Sequence, residues 1–108
     1  MKRLEIGRFG EDFACKELER KGFEITKRNY HTRRGEVDII AQNDEYILFV
    51  EVKTRKADSL VSGEEAVNNS KRKKIYLAAT DFLLKNPIDK QPRFDVIAIV
   101  TETKNEVT

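Results

Sequence analysis

Two acidic residues and a lysine stand near the middle of the 108-residue chain. Asp38 lies in the run GEVDII, residues 35–40, and Glu51 and Lys53 lie in the run LFVEVK, residues 48–53. Glu51 and Lys53 are two residues apart, so on a strand their side chains leave the same face. Burying such charges in an apolar sheet is costly unless they are paired. A divalent cation held by Asp38 and Glu51 would pair them, so the spacing indicates a metal site.

The two runs are predicted to form an antiparallel hairpin. Both are rich in β-branched residues, which favours strands, and the polar stretch NDE between them favours a tight turn. If residues 44–45 form the loop, Asn43 pairs with Tyr46 and Asp38 lies directly opposite Glu51. Residues in such pairs have Cβ atoms roughly 5 Å apart, and like charges there are destabilising. The hairpin therefore brings two carboxylates together and increases the need for a cation.

The segment before the hairpin is predicted to be an amphipathic helix over residues 4–21. Apolar residues recur at the helical period and form one stripe: Ile6, Phe9, Phe13, Ala14 and Leu18. Gly22 is expected to end the helix, and Gly7 and Gly10 are expected to let it approach the sheet. Glu11 falls on the edge of the stripe, which leaves two interpretations equally open. It is either a further acid at the metal site or a boundary glutamate in a surface ion pair.

Two further strands are predicted, at residues 23–30 and 93–100. The second hairpin strand, residues 46–55, is apolar on both faces in its first half, which is typical of a central strand that is covered on both sides. Polar residues begin only at Glu51. We therefore expect a ligand site at that end of the sheet, and Gly35 is expected to provide a turn or a close backbone approach just before Asp38.

A second helix is predicted from a capping box at residues 62–65 to about Lys85. Its apolar stripe consists of Val67, Ile75, Ala78, Ala79 and Phe82. Lys71 projects within this stripe, and we interpret it as a contact to substrate phosphate at the rim of the site. The alternative is a boundary lysine whose stem covers apolar surface while its charge stays in water.

The predicted order is therefore helix, three strands, helix, strand. A crossover through the second helix should place the last strand parallel to the third. The fold class is α/β, with a mixed central sheet flanked by helices. Residues 1–100 are expected to form a single domain and residues 101–108 a flexible tail.

Composition limits the function classes. The net charge is only +2, so bulk charge does not by itself indicate nucleic-acid binding. Basic residues instead cluster near the acidic centre, at 27–28, 33–34, 53–56 and 71–74, which suits a phosphate backbone. Ordinary solvated surface is the alternative for each cluster. Cys15 is the sole cysteine, which excludes a disulfide framework. Without a signal peptide or a membrane-length apolar run, we expect a cytoplasmic protein that binds no membrane.

Asp38 together with the run Glu51-Val52-Lys53 resembles the PD-(D/E)xK signature of restriction-endonuclease-like nucleases, with Val37 in place of the nominal proline. The chain is more closely similar to one member group, the small bacterial YraN-like family, from about Ile6 to Val100. The matching positions are Gly7, Gly10, Glu11, Ala14, Leu18, Gly22, Asn29, residues 35–38, residues 49–55, Val67, Lys71 and residues 93–96. This ordered set is far more specific than the short acid–lysine motif alone.

The resemblance implies a restriction-endonuclease-like αβββαβ core and a metal-dependent endonuclease that acts on DNA. RNA is left open as an alternative, and branched or structured DNA is one candidate substrate. Asp38, Glu51 and the main-chain carbonyl of Val52 would bind Mg²⁺, with Mn²⁺ as a substitute. Lys53 would orient or deprotonate the nucleophile, or stabilise the transition state. Glu11 would be a further acid at the metal, as in resolvase-type relatives.

The nucleic acid would be bound by basic residues around this centre: Lys71, Arg55, Arg34 and Arg33. The only histidine, His31, is a weaker candidate for a phosphate contact. A homodimer remains an alternative, because one short chain that cuts both strands of a duplex would call for a twofold-related partner. The competing function is a non-catalytic nucleic-acid-binding module with a nuclease-like fold. A purely structural protein would leave the charged constellation unexplained.

Overall fold

A computed structural model of the protein describes residues 3–56 and 69–101. The elements are α1 (Arg3–Arg20), β1 (Glu24–His31), β2 (Glu36–Gln42), β3 (Tyr46–Lys56), α2 (Asn69–Lys85) and β4 (Gln91–Thr101). The predicted αβββαβ order is confirmed. The predicted capping box at residues 62–65, Val67 and residues 102–108 of the predicted tail lie outside the described residues. So do the side chains at positions 3–8, 55, 56 and 101. Thr101, the first residue of the predicted tail, is instead the last residue of β4.

The sheet has four strands in the order β1-β2-β3-β4. β1 and β2 pair antiparallel, β2 and β3 pair antiparallel, and β3 and β4 pair parallel, so the predicted mixed sheet is confirmed. β4 begins at Gln91, two residues before its predicted start. Its N–H donates to the carbonyl of Glu45, 2.9 Å away, in the hairpin loop. This bond extends the parallel pairing back to Tyr46, the first residue of β3.

The hairpin between β2 and β3 has the predicted register. Its ladder runs from Ile39 opposite Val50 to Gln42 opposite Ile47, and the Asn43 N–H donates to the Tyr46 carbonyl at 3.0 Å. The loop is therefore the predicted two-residue one. The Asn43 side-chain oxygen accepts the Tyr46 N–H at 2.7 Å and so supports the turn locally.

α1 ends as predicted, at a left-handed glycine. Gly22 has φ of 97°, its N–H donates to the Glu19 carbonyl, and the Phe23 N–H donates to the Leu18 carbonyl. These two bonds form a Schellman motif, which satisfies carbonyls that the helix leaves unpaired.

The predicted inward direction of Phe9 and Phe13 is wrong, because each is 46% exposed. The face of α1 that contacts the sheet instead contains Gly10, Ala14 and Leu18, which follow one another at four-residue spacing and are all buried. A Cβ at Gly10 would run into the hydroxyl of Thr54 and would touch the side chain of Ile99 at ordinary contact distance. Gly10 therefore faces the sheet, which confirms the close approach expected there. The rings of Phe9 and Phe13 lie beside this contact face and are partly exposed.

Two apolar cores cover the two faces of the sheet. The α2 side contains Val37, Ile40, Ile47, Phe49, Ile75, Ala78, Ala79 and Phe82. The α1 side contains Ala14, Cys15, Leu18, Ile39, Ala41, Leu48 and Val50. β3 contributes to both cores, so the predicted central, doubly covered strand is confirmed. Among the residues that the structure describes, no helix is long and apolar enough to cross a membrane.

Candidate metal and nucleic-acid site

The chemistry-bearing residues gather at one end of the sheet. The last residue of β1 lies opposite the first residue of β2, as His31 opposite Glu36. The β2–β3 ladder ends at the same side with Ile39 opposite Val50, and one further step brings Asp38 opposite Glu51. The end of β1, the start of β2 and the polar half of β3 therefore share this end, hereafter called the polar end of the sheet.

Asp38 contacts the main chain of β3 directly. Its Oδ2 accepts the N–H of Val52 at 2.7 Å. Burial of the carboxyl raises its pKa to about 6; the Val52 N–H opposes this rise, and the nearby carboxylates of Glu51 and Glu11 add to it. Burial disfavours the ionised form of an acid, and so does a neighbouring negative charge. A positive charge beside Asp38 would therefore stabilise its ionised form.

Glu51 is the sole charged residue among the buried ones of the described structure, with 4% exposure. Its Oε2 lies 3.0 Å from the ammonium of Lys71, the third residue of α2. The hydrogen bond to Glu51 raises the pKa of Lys71, and the charges of Glu51 and Asp38 act in the same direction. The buried carboxylate of Glu51 is thus paired with the ammonium of Lys71. Neither interpretation of Lys71 made from the sequence included this ion pair.

Lys53 follows Glu51 by two residues in β3. The alternation of the strand is clear from its neighbours, since Ile47 and Phe49 pack into the α2-side core while Leu48 and Val50 pack into the α1-side core. Glu51 and Lys53 continue the α2-side series, and the side chain of Lys53 is partly buried. The shared face predicted for the acid and the lysine agrees with this pattern.

Glu11 contacts β1. Its Oε1 accepts the Nδ2 of Asn29 at 2.9 Å and lies 3.5 Å from a guanidinium nitrogen of Arg28. Arg28 in turn pairs with Asp12 at 2.8 Å. The Glu11 charge still reaches Asp38, whose pKa it raises. Within residues 3–56 and 69–101, no group of three or more His, Cys, Asp or Glu side chains is arranged to hold a metal ion.

Asn29 is a site residue that the reasoning from individual side chains missed, although the family pattern included it. Its φ of 52° is positive, which is uncommon for any residue except glycine but favoured among the rest by asparagine. It lies within β1 between Arg28, opposite Ile39, and Tyr30, opposite Val37. An asparagine inside a strand is the signal that could have identified this position.

The basic loop before β2 also lies at the polar end. Arg34 forms an ion pair with Asp81 of α2, and Arg33 is exposed. Both line an open groove of about 810 Å³ together with His31, Thr32, Asp81 and Lys85. Thr32 closes the loop, since its Oγ1 accepts the N–H of Gly35 at 3.0 Å. The predicted nucleic-acid contact Arg55 lies in β3, and its side chain is outside the described part of the structure.

Gly35 explains how α2 reaches this end of the sheet. A Cβ at this position would run into the main-chain carbonyl of Lys74. Only a residue without a side chain allows that approach, so the close backbone contact expected before Asp38 is confirmed.

The uncharacterised protein family UPF0102 matches residues 10–99. The chain belongs to this family. A UPF0102 protein of Syntrophotalea carbinolica is 46% identical over 98 residues, which are 90% of this chain and 80% of the relative. A UPF0102 protein of Desulforapulum autotrophicum is 45% identical over 101 residues, 93% of this chain and 84% of the relative. A third, from Flavobacterium psychrophilum, is 35% identical over 100 residues, with 93% and 84% covered. The predicted YraN-like membership is thereby confirmed, and a UPF0102 chain carries the αβββαβ core.

Proposed function

We propose that this UPF0102 protein is a metal-dependent nuclease that hydrolyses phosphodiester bonds in DNA, with branched or structured DNA as the expected substrate. The observation that carries the proposal is the contact between neighbouring strands at the polar end. Asp38 accepts the Val52 N–H at 2.7 Å. Glu51, the residue before Val52, is buried, and its carboxylate contacts the ammonium of Lys71. Two carboxylates, one of them buried, thus lie at opposing positions of neighbouring strands, and Lys53 follows Glu51 by two residues in β3.

The donor set suits a hard divalent cation. Asp38 and Glu51 would supply carboxylate oxygens and Val52 its main-chain carbonyl, and Mg²⁺ prefers oxygen ligands while keeping several waters. Two carboxylates therefore suffice, and Glu11, bonded to β1, is not needed as a ligand. Mn²⁺ would serve as a substitute. When bound, the ion would lower the pKa of a bound water and neutralise charge on the phosphate.

Lys53 is the chain's own reactive group in this proposal. It follows Glu51 on the same face of β3, so it would meet the water and the scissile phosphate on the side where the metal is held. There it would orient or deprotonate the nucleophile, or stabilise charge that develops in the transition state. Such an interaction affects the rate more than the affinity.

The basic residues at the polar end would hold the phosphate backbone. Arg33 and Arg34 lie on the loop that leads into β2, and Lys71 lies at the start of α2. Arg55 is kept in the proposed set from its position in β3. Cleavage of both strands of a duplex would use a second copy of the chain.

One observation favours the competing function, a non-catalytic nucleic-acid-binding module. Lys71 already neutralises Glu51 at 3.0 Å, so the acid pair has positive charge beside it without a metal. A module that had lost its turnover would retain the basic loop and this ion pair.

Lys53→Ala separates the two functions. We expect this variant to bind structured DNA nearly as well as the unaltered protein in Ca²⁺. Its single-turnover cleavage in Mg²⁺ or Mn²⁺ should fall by roughly 10²-fold or more, the loss typical for a proton-transfer or electrostatic group. Lys73→Ala is the matched control, because Lys73 is an exposed lysine of α2.

Two further measurements complete the test. Mn²⁺ should raise the melting temperature of the unaltered protein, since a ligand of the native state stabilises it by mass action. The double variant Asp38→Asn with Glu51→Gln should lose this rise. Equal cleavage rates for Lys53→Ala and the unaltered protein would show that the nuclease assignment of this site is wrong.

A further inference from the structure

Lys71 is the residue at the polar end whose contact the proposed reaction does not use. Its ammonium lies 3.0 Å from Glu51 Oε2, and the side chain of Lys71 is 39% exposed whereas that of Glu51 is 5% exposed. The two side chains therefore differ in how far they can move. Glu51 is fixed by its burial in a central strand, and Lys71 carries its charge on a flexible four-carbon stem at the start of a helix.

A metal ion on Glu51 would compete with this ammonium. Mg²⁺ binds carboxylate oxygens at roughly 2.0–2.1 Å, which would bring it close to a group that already contacts the same carboxylate. The two cations repel each other, and the acid pair contains only two negative charges. Of the two cations, the ammonium of Lys71 is the one carried on a flexible stem, so it is the one that moves.

We propose that Lys71 occupies the cation position of the acid pair in the metal-free protein, and that metal binding displaces it toward the phosphate of the nucleic acid. This inference rests on the metal site of the proposed function. Lys71 would thus act twice, first as a substitute for the missing ion and then as a phosphate contact. The nucleic-acid affinity of the protein would then depend on the metal, because the same ion both attracts the phosphate and releases a second positive charge.

The position of α2 supports this exchange. Gly35 lets the helix approach so closely that a Cβ would collide with the Lys74 carbonyl, so the first turns of α2, which include Lys71, are held against the residue that precedes β2. The stem of Lys71 therefore pivots from a fixed point at the edge of the site. A released ammonium stays at the polar end, near the basic loop that contains Arg33 and Arg34.

The first test measures metal affinity without any cleavage. We expect Lys71→Met to bind Mn²⁺ more tightly than the unaltered protein, by roughly 5-fold or more, the usual lower range of coupling between two competing or cooperating ligands. Lys73→Met, which changes an exposed lysine of the same helix, should leave Mn²⁺ affinity unchanged. Lys71→Gln is the second variant, since it removes the charge but keeps a hydrogen-bond donor for Glu51 if the methionine variant folds poorly.

The second test measures binding of a structured DNA with and without Ca²⁺. Ca²⁺ should tighten binding in the unaltered protein and in Lys73→Met, and the tightening should be smaller in Lys71→Met and Lys71→Gln. The difference isolates the contribution of the released lysine, because direct attraction between ion and phosphate is present in all four proteins.

The outcomes distinguish this inference from the nuclease proposal. Equal Mn²⁺ affinity in Lys71→Met, Lys71→Gln and the unaltered protein overturns the displacement, and the nuclease proposal stands if the Asp38→Asn, Glu51→Gln variant still loses the metal. If the Lys71 variants bind metal more tightly but the unaltered protein cleaves no DNA, the displacement is supported and the nuclease proposal is overturned. Absence of metal binding from every variant overturns both.

Discussion

The two helices approach the polar end of the sheet in different ways. α1 brings Gly10 against side chains, those of Thr54 and Ile99, whereas α2 lies against Gly35 through its own main chain at Lys74. A side chain can rotate away from a new neighbour, but a helix backbone moves only as a unit. The position of α2 is therefore fixed more tightly by its glycine than the position of α1.

Each helix also brings a charged residue toward the acid pair, and the two residues have different partners. Glu11 of α1 bonds to Asn29 and approaches Arg28, on the edge strand β1. Lys71 of α2 reaches Glu51, which lies on the central strand β3 and is buried. The helix with the more tightly fixed position is thus the one that contacts the acid pair. This difference indicates that α2 sets the properties of the candidate site and that α1 supports it from the side.

Substitution of the two glycines tests the difference in fixation and should give the largest effect. We expect Gly35→Ala to lower the free energy of unfolding by about 3 kcal/mol, at the upper end of overpacking changes, because its Cβ meets backbone. Gly10→Ala should cost much less, since Thr54 can rotate and alanine is the better helix former by about 1 kcal/mol. Urea unfolding of both variants checks this, and equal losses would contradict the rigid placement of α2.

The charge balance of the acid pair gives the next largest effect. The folded-state pKa of Asp38 is about 6, raised from 3.8, mainly by burial. The native state therefore holds this proton more tightly than the unfolded chain, and metal-free stability should fall as pH rises from about 4 to about 6 and then level off. Asp38→Asn removes the charge but keeps an oxygen that can accept the Val52 N–H.

We accordingly expect Asp38→Asn to stabilise the metal-free protein by about 2 kcal/mol at pH 8. A rise of roughly two pKa units corresponds to about 3 kcal/mol at about 1.4 kcal/mol per unit, and the partial solvent exposure of Asp38 reduces this. At pH 4 the gain should nearly vanish, because Asp38 is then protonated in the native state. Thermal or urea unfolding at both pH values, in the presence of a chelator, makes the comparison. A variant that is equally affected at both pH values would show that the ionised carboxylate of Asp38 carries no such cost.

The hairpin was predictable because its information is local. A two-residue loop and an asparagine before it together set the register, and the register alone brings Asp38 opposite Glu51. The central position of β3 followed from its two apolar faces, and the buried side of α2 followed from Ile75, whose period the later residues repeat.

Other features depend on how elements meet, which periodicity does not contain. The helical period of α1 put Phe9 and Phe13 in the apolar stripe, but close packing favours the face with Gly10. The contact between Lys71 and Glu51 joins residues 20 positions apart and depends on where α2 crosses the sheet. That crossing is set by Gly35, whose clash with a backbone carbonyl appears only once the helix is in place.

The smallest expected effect concerns Glu11 and decides between its two interpretations. In the structure Glu11 accepts a hydrogen bond from Asn29 and lies 3.5 Å from Arg28. The Arg28 and Glu11 side chains are 37% and 20% exposed, which suits a pair at the surface. Glu11→Gln keeps an oxygen for Asn29 and removes a charge, so stability should change by no more than about 0.5 kcal/mol. The rise in melting temperature with Mn²⁺ should persist, slightly reduced because one negative charge near Asp38 is gone. Asp12→Asn is the control, since Asp12 shares Arg28 with Glu11. If Glu11→Gln instead loses the Mn²⁺ response as completely as the Asp38→Asn, Glu51→Gln variant does, Glu11 belongs among the metal ligands and α1 contributes to the site as directly as α2.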